Sequence, residues 1–145
     1  MKRHPSLIPL SREHHGALLL ARLLRKDAPL YKGLPSNAPD KADYALKFYQ
    51  DEIIGHFAEE EKVISLVKGL NPELDLLIDE MEKEHVQLHE LFRLINNNSD
   101  LSVHLDKLGR ALEDHVRKEE RQIFPMIQNS CSEELLNTIA ESLKT

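Results

Sequence analysis

Histidine and glutamate recur at a spacing of four residues along this chain, and this spacing is the clearest chemical signal in the sequence. The pairs are His56 with Glu60, His115 with Glu119, and His85 with His89. Residues four apart on an α-helix lie on the same face, one turn above the other. Imidazole and carboxylate groups presented together in this way are typical ligands of transition-metal ions.

Each pair lies in the middle of a helix face that is otherwise apolar. An earlier helix contributes His14, which shares its face with Leu10 and Ala17, whereas His15 shares a more polar face with Ser11 and Arg22. One residue rotates a side chain by about 100° around a helix, so we expect His14 and not His15 to face the interior. The predicted metal ligands are His14, His56, Glu60, His85, His89, His115 and Glu119.

A metal centre is the most economical way to bury these groups. Ionised carboxylates inside a core are costly unless cations neutralise them, and no Lys or Arg lies near them on the same faces. Imidazole and carboxylate without thiolate favour iron or manganese over structural zinc. Seven ligands are too many for one ion and suit two ions bridged by carboxylates. Five glutamates flank the ligands, and we expect most of them to be solvated. They are Glu59, Glu61, Glu84, Glu113 and Glu120.

Four long helices and one short helix must position these ligands. The predicted segments run from Ser11 to Lys26, from Asp40 to Lys68, from Asn71 to the Asn96–Asn98 run, and from Ser99 or Asp100 to Ile127, with a short helix from Ser130 or Ser132. The prolines between residues 29 and 39 belong to the one long loop. No stretch alternates as a strand would. The sequence predicts an all-α, antiparallel up-down four-helix bundle with a short C-terminal helix.

Composition narrows the class of protein. The chain has 145 residues, 41% hydrophobic and 30% charged, which indicates a single globular domain over residues 1–145. A net charge of −6 argues against nucleic acid as a partner. The single cysteine excludes a disulfide framework. Neither a signal peptide nor an 18-residue apolar run is present, so we expect a cytoplasmic protein without a membrane partner.

The joint pattern of ligands resembles the hemerythrin-like, HHE cation-binding family. The strings EHHGALLLARLL, HFAEEEKVI, EHVQLHELF and HVRKEERQIFPMI are similar to that family's four helices over about residues 7–128. The resemblance implies two iron ions with an oxo or hydroxo bridge, held together by Glu60 and Glu119. It also implies that His85, His89 and His115 bind one iron and that His14 and His56 bind the other. Oxygen-carrying hemerythrins have an Asp five residues after the last histidine, and this difference weakens the case for reversible oxygen carriage.

Three functions are compatible with the sequence. The first is a di-iron protein that binds O2, NO or a related small oxidant at an open iron site, for sensing, scavenging or iron buffering. Its partner would be a small diatomic or anionic ligand. The second is a di-iron redox enzyme that acts on peroxide or NO, or an iron-donating repair protein. The third is a helical bundle that holds zinc or little metal. The sequence does not identify a protein partner.

Overall fold

A computed structural model describes residues 2–97 and 99–144. These residues form seven α-helices and no strand. Two five-residue π-helical turns lie within continuous rods. Tyr49–Ile53 joins the helix Ala38–Phe48 to Ile54–Val67, and Glu119–Ile123 joins Leu101–Lys118 to Phe124–Ser130. The result is four long rods and a short C-terminal helix, which confirms the predicted all-α fold. The helices are α1 (Ile8–Leu23), α2 (Ala38–Phe48), α3 (Ile54–Val67), α4 (Pro72–Arg93), α5 (Leu101–Lys118), α6 (Phe124–Ser130) and α7 (Glu133–Ser142).

Side-chain caps begin three of the predicted helices where the sequence places them. Asn71 accepts hydrogen bonds from the first turn of α4, and Asp100 does the same for α5. Of the two starts considered for the last helix, Ser132 is the cap of α7. Of the asparagine run that was predicted to end the third segment, Asn98 lies outside the described residues.

The predicted starts of the first two helices are wrong by about one turn. α1 begins at Ile8 and α2 at Ala38, so Ser11 lies inside α1 and Asn37 rather than Asp40 caps α2. Both helices carry a proline in the first turn, where the missing N–H leaves no intrahelical hydrogen bond unmade. The sequence interpretation assigned Pro39 to the preceding loop, and this assignment placed the start of α2 too late.

Cross-helix contacts show that neighbouring rods run antiparallel. Ser11 near the start of α1 bonds Glu120 beyond the end of α5, whereas the amide of Lys26 after α1 bonds Asp106 near the start of α5. The pairing between α4 and α5 has the same sense, because His104 bonds the carbonyl of Leu91 while His115 bonds Glu84. These contacts set the heights of α1 and α4 relative to α5, so the middle parts of the three helices lie side by side.

Gly109 lets α1 and α5 approach closely, about two helical turns away from His14 and His115. A Cβ added to Gly109 would lie 2.5 Å from the carbonyl oxygen of Ala21 and 3.1 Å from Cβ of Leu24. Any larger residue would push the two helices apart, and these helices carry His14 and His115.

The apolar core consists of two clusters with a polar layer between them. One cluster surrounds Leu20, Leu108 and Leu112, and the other surrounds Leu10 and Val63. Six buried polar residues lie on the same helices between the two clusters, namely His14, His56, Glu60, His85, His115 and Glu119. Among the described residues, no helix has the length and apolar character needed to span a membrane.

The π-helical turns lie beside the polar layer, and the sequence did not predict them. One ends three residues before His56, and the other begins at Glu119. A π turn adds one residue to the helical repeat, and such turns are frequent at functional sites. Beyond Glu119 the inward face continues through Ile127, which is buried, whereas Met126 is half-buried. The wider turn carries the inward register one residue further along the chain.

Candidate metal centre

Six of the seven predicted ligands meet in two groups that share both glutamates. In each group the potential ligand atoms lie within 4.8 Å of one another. All six side chains belong to residues that are between 0% and 5% exposed. One group is His14, His56, Glu60 and Glu119, and the other is Glu60, His85, His115 and Glu119.

The two oxygens of Glu60 face different groups. Oε2 lies 3.0 Å from Nε2 of His56 and 3.3 Å from Nε2 of His14, while Oε1 lies 3.1 Å from Nε2 of His85. Oε1 of Glu119 lies 3.1 Å from Nε2 of His14 and 3.3 Å from Nε2 of His115. Both carboxylates are therefore placed between the two groups, where a bridging ligand would lie.

A ring of outer glutamates holds the four histidines from behind. The Nδ1 atom of each donates to a carboxylate on a neighbouring rod, at 2.7 to 2.9 Å. The pairs follow one another around the bundle: Glu13 of α1 to His56, Glu61 of α3 to His85, Glu84 of α4 to His115, and Glu120 to His14. A proton fixed on Nδ1 leaves the Nε2 lone pair directed at the centre, as in carboxylate–histidine–metal arrangements.

Several atoms of the centre have no hydrogen-bond partner. Nε2 of His56 and of His115 and both carboxylate oxygens of Glu119 are buried and unpaired. Oε1 of Glu119 lies close to His14, but its angle is not that of a hydrogen bond. Buried polar groups are normally satisfied, because leaving them unpaired costs about 1–3 kcal/mol each. These atoms belong to residues of the two groups, so the residues present fit metal ions.

The sequence model for the Hemerythrin HHE cation binding domain matches residues 9–127 of this chain. The chain belongs to this family. Comparisons with curated proteins and with solved structures found no significant match. The matched range includes both groups of the hemerythrin-like centre, and the buried His/Glu groups fit a metal-binding protein of this family.

The electrostatics of the centre show how strongly it attracts positive charge. Burial disfavours the charged form of His14, but the neighbouring carboxylates of Glu119, Glu120 and Glu60 outweigh it and raise the pKa of the imidazole to about 12. Burial also opposes the charge on His56, yet the charge of Glu60 and a hydrogen bond to Glu13 raise the pKa of His56 to about 10. In the absence of metal, these rings hold protons where a metal ion would bind.

The two central carboxylates differ from each other in pKa. Burial alone would raise the pKa of Glu60, but the charge of His56 and hydrogen bonds from the surrounding imidazoles hold it well below the usual value. Burial and the charge of Glu60 raise the pKa of Glu119. Two carboxylates so close together cannot both remain ionised without cations near them.

His89, the seventh predicted ligand, belongs to neither group. Its side chain is half-buried, and its Nδ1 lies 2.6 Å from the hydroxyl of Tyr49. Phe57 separates it from the centre: its ring stacks on His85 at 4.0 Å and meets His89 edge-on at 5.3 Å. The structure thus brings one histidine of the pair on α4 into the centre and leaves the other beside Tyr49.

The expectation that most of the flanking glutamates are solvated is wrong, because Glu61 is the one exposed residue of the five and the others are half-buried. Glu61, Glu84 and Glu120 each accept the Nδ1–H of a buried histidine. Each stands next to a predicted ligand in sequence, as Glu13 does beside His14. A side chain one position away points about 100° from the centre, which directs it at the neighbouring helix. A glutamate directly beside a predicted ligand was therefore the sequence signal that could have identified these outer glutamates.

Proposed function

We propose that this protein is a non-haem di-iron protein that binds O2, NO or a related small oxidant, for sensing, scavenging or iron buffering. One ion would lie in each of the two groups, with Glu60 and Glu119 bridging them and an oxo or hydroxo group between. The observation that carries the proposal is that both glutamates belong to both groups. Sharing of this kind is what a two-metal centre requires.

The ligand types support iron. Each group offers two imidazoles and two carboxylates, and no thiolate. Iron accepts this mixture in six-coordinate sites, whereas structural zinc sites have four ligands and often use cysteine. The pKa values raised by the surrounding glutamates indicate a centre that favours positive charge, as bound metal ions supply.

The number of ligands leaves room for a small molecule. Two octahedral ions offer about 12 coordination positions. The four grouped histidines would occupy about four, the two bridging carboxylates about four, and a bridging oxygen about two. About two positions remain, one on each ion if the groups fill alike. If His89 were a further ligand, about one position would remain.

The chain's own side chains restrict what can reach these positions. Phe57 stacks on His85, and Phe124 stacks on His14 at 5.6 Å, so aromatic rings cover both groups. The apolar clusters close the layer on both sides. Enclosure of this kind favours a diatomic molecule or small anion over an organic substrate. The bound ions would supply the redox chemistry, while the outer glutamates hold the imidazoles in one tautomer.

Iron loading and azide binding together test the proposal. After anaerobic loading with Fe²⁺, gel filtration and oxidation, we expect two iron ions per chain. Azide added to the oxidised protein should produce a new charge-transfer band that saturates at one or two azide ions per centre. Loading with fewer than two ions contradicts the di-iron centre. A fully loaded protein whose spectrum does not respond to azide contradicts the open position. Turnover with peroxide or NO would shift the proposal from binding to the enzyme alternative.

A further inference from the structure

The segment that precedes α1 packs against residues near the C-terminus. Both parts of this contact lie outside the range that the family model matches. Residues 2–6 come before residue 9, and their partners Gln128 and Glu133 come after residue 127. The amide of His4 donates to the side chain of Gln128, which donates in turn to the carbonyl of Lys2, at 2.9 and 3.0 Å. Nδ1 of His4 accepts from the amide of Ser6, so Nε2 carries the proton and donates to Glu133.

This packing places the guanidinium of Arg3 on Glu120. Nη2 of Arg3 donates to the backbone carbonyl of Glu120 at 2.8 Å and to its Oε1 at 3.2 Å, and Nη1 donates to Gln128 at 3.3 Å. The guanidinium carbon also lies 5.4 Å from the centre of the Phe124 ring. The Arg3 side chain is only 17% exposed, so these contacts are largely shielded from water.

The side chains of Glu120 and Phe124, which Arg3 contacts, also contact His14. The other oxygen of Glu120, Oε2, accepts from Nδ1 of His14 at 2.7 Å and from the hydroxyl of Ser11 at 2.8 Å. The ring of Phe124 stacks on the His14 imidazole with an interplanar angle of 9°. Arg3 therefore fixes the hydrogen-bond acceptor of this histidine and one of its aromatic neighbours.

Within residues 2–97 and 99–144, a cation holds one of the other three outer glutamates in a comparable way, and none holds the remaining two. Lys118 donates to Glu84 at 3.0 Å, and Glu84 accepts from His115. Glu13 and Glu61 are 41% and 50% exposed, and the hydrogen bonds described for their side chains come from histidines alone. Each metal group thus contains one histidine whose partner is held by a cation: His14 through Arg3 in one, and His115 through Lys118 in the other.

We propose that Arg3 is a positioning residue for His14, acting through Glu120 and Phe124, and that it sets the affinity of the first metal group independently of the second. The proposal rests on the proposed function only where it concerns metal affinity. Without Arg3, a shielded carboxylate loses its cation and turns toward water, and the imidazole loses the acceptor that fixes its Nδ1 proton.

The first test uses metal-free protein, so it does not depend on metal binding. The ring proton on Nδ1 of His14 should be protected from exchange in the wild type and visible by nuclear magnetic resonance in ¹⁵N-histidine-labelled protein. We expect Arg3→Gln to lose this signal and to keep that of His115, and Lys118→Gln to do the reverse. Arg3→Lys should keep part of the signal, and Lys2→Gln, at an exposed position of the same segment, should keep all of it.

The second test measures binding of Co²⁺, a spectroscopic probe for such sites. Changes to outer partners of metal-bound histidines typically cost about 10- to 100-fold in affinity, and Arg3 acts one contact further out. We therefore expect Arg3→Gln to weaken one of two Co²⁺ sites by about 10-fold and to leave the other unchanged.

Three results would overturn the proposal. They are an unchanged His14 signal in Arg3→Gln, equal loss of the His14 and His115 signals, and an Arg3→Lys variant that behaves like Arg3→Gln. If the wild type binds no Co²⁺ and no iron, the proposed function fails, while the metal-free result still decides the role of Arg3.

Discussion

Replacing His14 and His15 one at a time separates the metal centre from its surface, because the two neighbours differ in placement. His14 is 1% exposed and belongs to the first metal group, whereas His15 is exposed. His14→Ala removes one of the two imidazoles of that group. His15→Ala makes the same chemical change one residue away, and it serves as the matched control.

The size of the effect follows from linkage between binding and folding. Losing a ligand should weaken the first site by about 100-fold or more, since even outer partners cost about 10- to 100-fold. At saturating metal, a 100-fold change corresponds to about 2.7 kcal/mol of lost stabilisation. With an unfolding entropy of about 2.1 cal/mol/K per residue, a chain of this length has about 0.3 kcal/mol/K, so Tm should fall by about 9 °C.

The assay is thermal unfolding of each variant with and without metal. The metal-free measurement removes the effect of the cavity that His14→Ala creates, because only the increase in Tm caused by metal is compared. We expect this increase to shrink by about 9 °C for His14→Ala and by less than about 1 °C for His15→Ala. Equal increases in the two variants, or a larger loss for His15→Ala, would refute the placement of His14 in a metal site.

Three further predictions follow from the same geometry. Gly109→Ala should destabilise the protein by about 1–3 kcal/mol in chemical denaturation, because the added methyl meets the Ala21 carbonyl; unchanged stability would contradict the close approach of α1 and α5. His89→Ala should keep two metal ions per chain by elemental analysis, because His89 lies outside both groups; a protein with one ion would assign it as a ligand. Metal binding at pH 7 should release about two protons in calorimetry in buffers of different ionisation enthalpy, because the pKa values of His14 and His56, raised to about 12 and about 10, keep both rings protonated without metal.

The same shifts fix the sign of a pH effect on the metal-free protein. Folded-state pKa values above the unfolded value of 6.5 stabilise the fold fully below pH 6.5. This stabilisation decreases as the pH rises above 6.5 toward the folded-state pKa values of about 10 for His56 and about 12 for His14. The unfolding free energy of chelated protein should therefore fall between pH 7 and pH 9. A flat or rising profile would contradict protonation of these imidazoles.

The inward histidines and glutamates could be predicted from the sequence because helical periodicity ties spacing to direction. His14 and His15 differ by one position, and that difference alone places one in the core and the other on the surface. Two of the helix caps were predictable for a local reason as well. Asn71 and Asp100 need only the first turn of their own helices to act.

Features that depend on contacts between helices could not be predicted from one helix at a time. The spacing of His85 and His89 treats the two rings alike, yet only the structure shows Phe57 lying between His89 and the centre. The outer glutamates are equivalent to any charged surface residue until the neighbouring rod is in place. Arg3 precedes the first helix and meets Glu120 more than a hundred residues later, a contact that no local pattern encodes.

The central claim is that two metal ions share Glu60 and Glu119, and anomalous diffraction from crystals of iron-loaded protein tests it most directly. Data collected on both sides of the iron absorption edge locate iron without reference to the fold. We expect two peaks per chain, one within each His/Glu group, about 3.5–4 Å apart or somewhat closer. A single peak, or iron bound away from the two shared glutamates, would contradict the account.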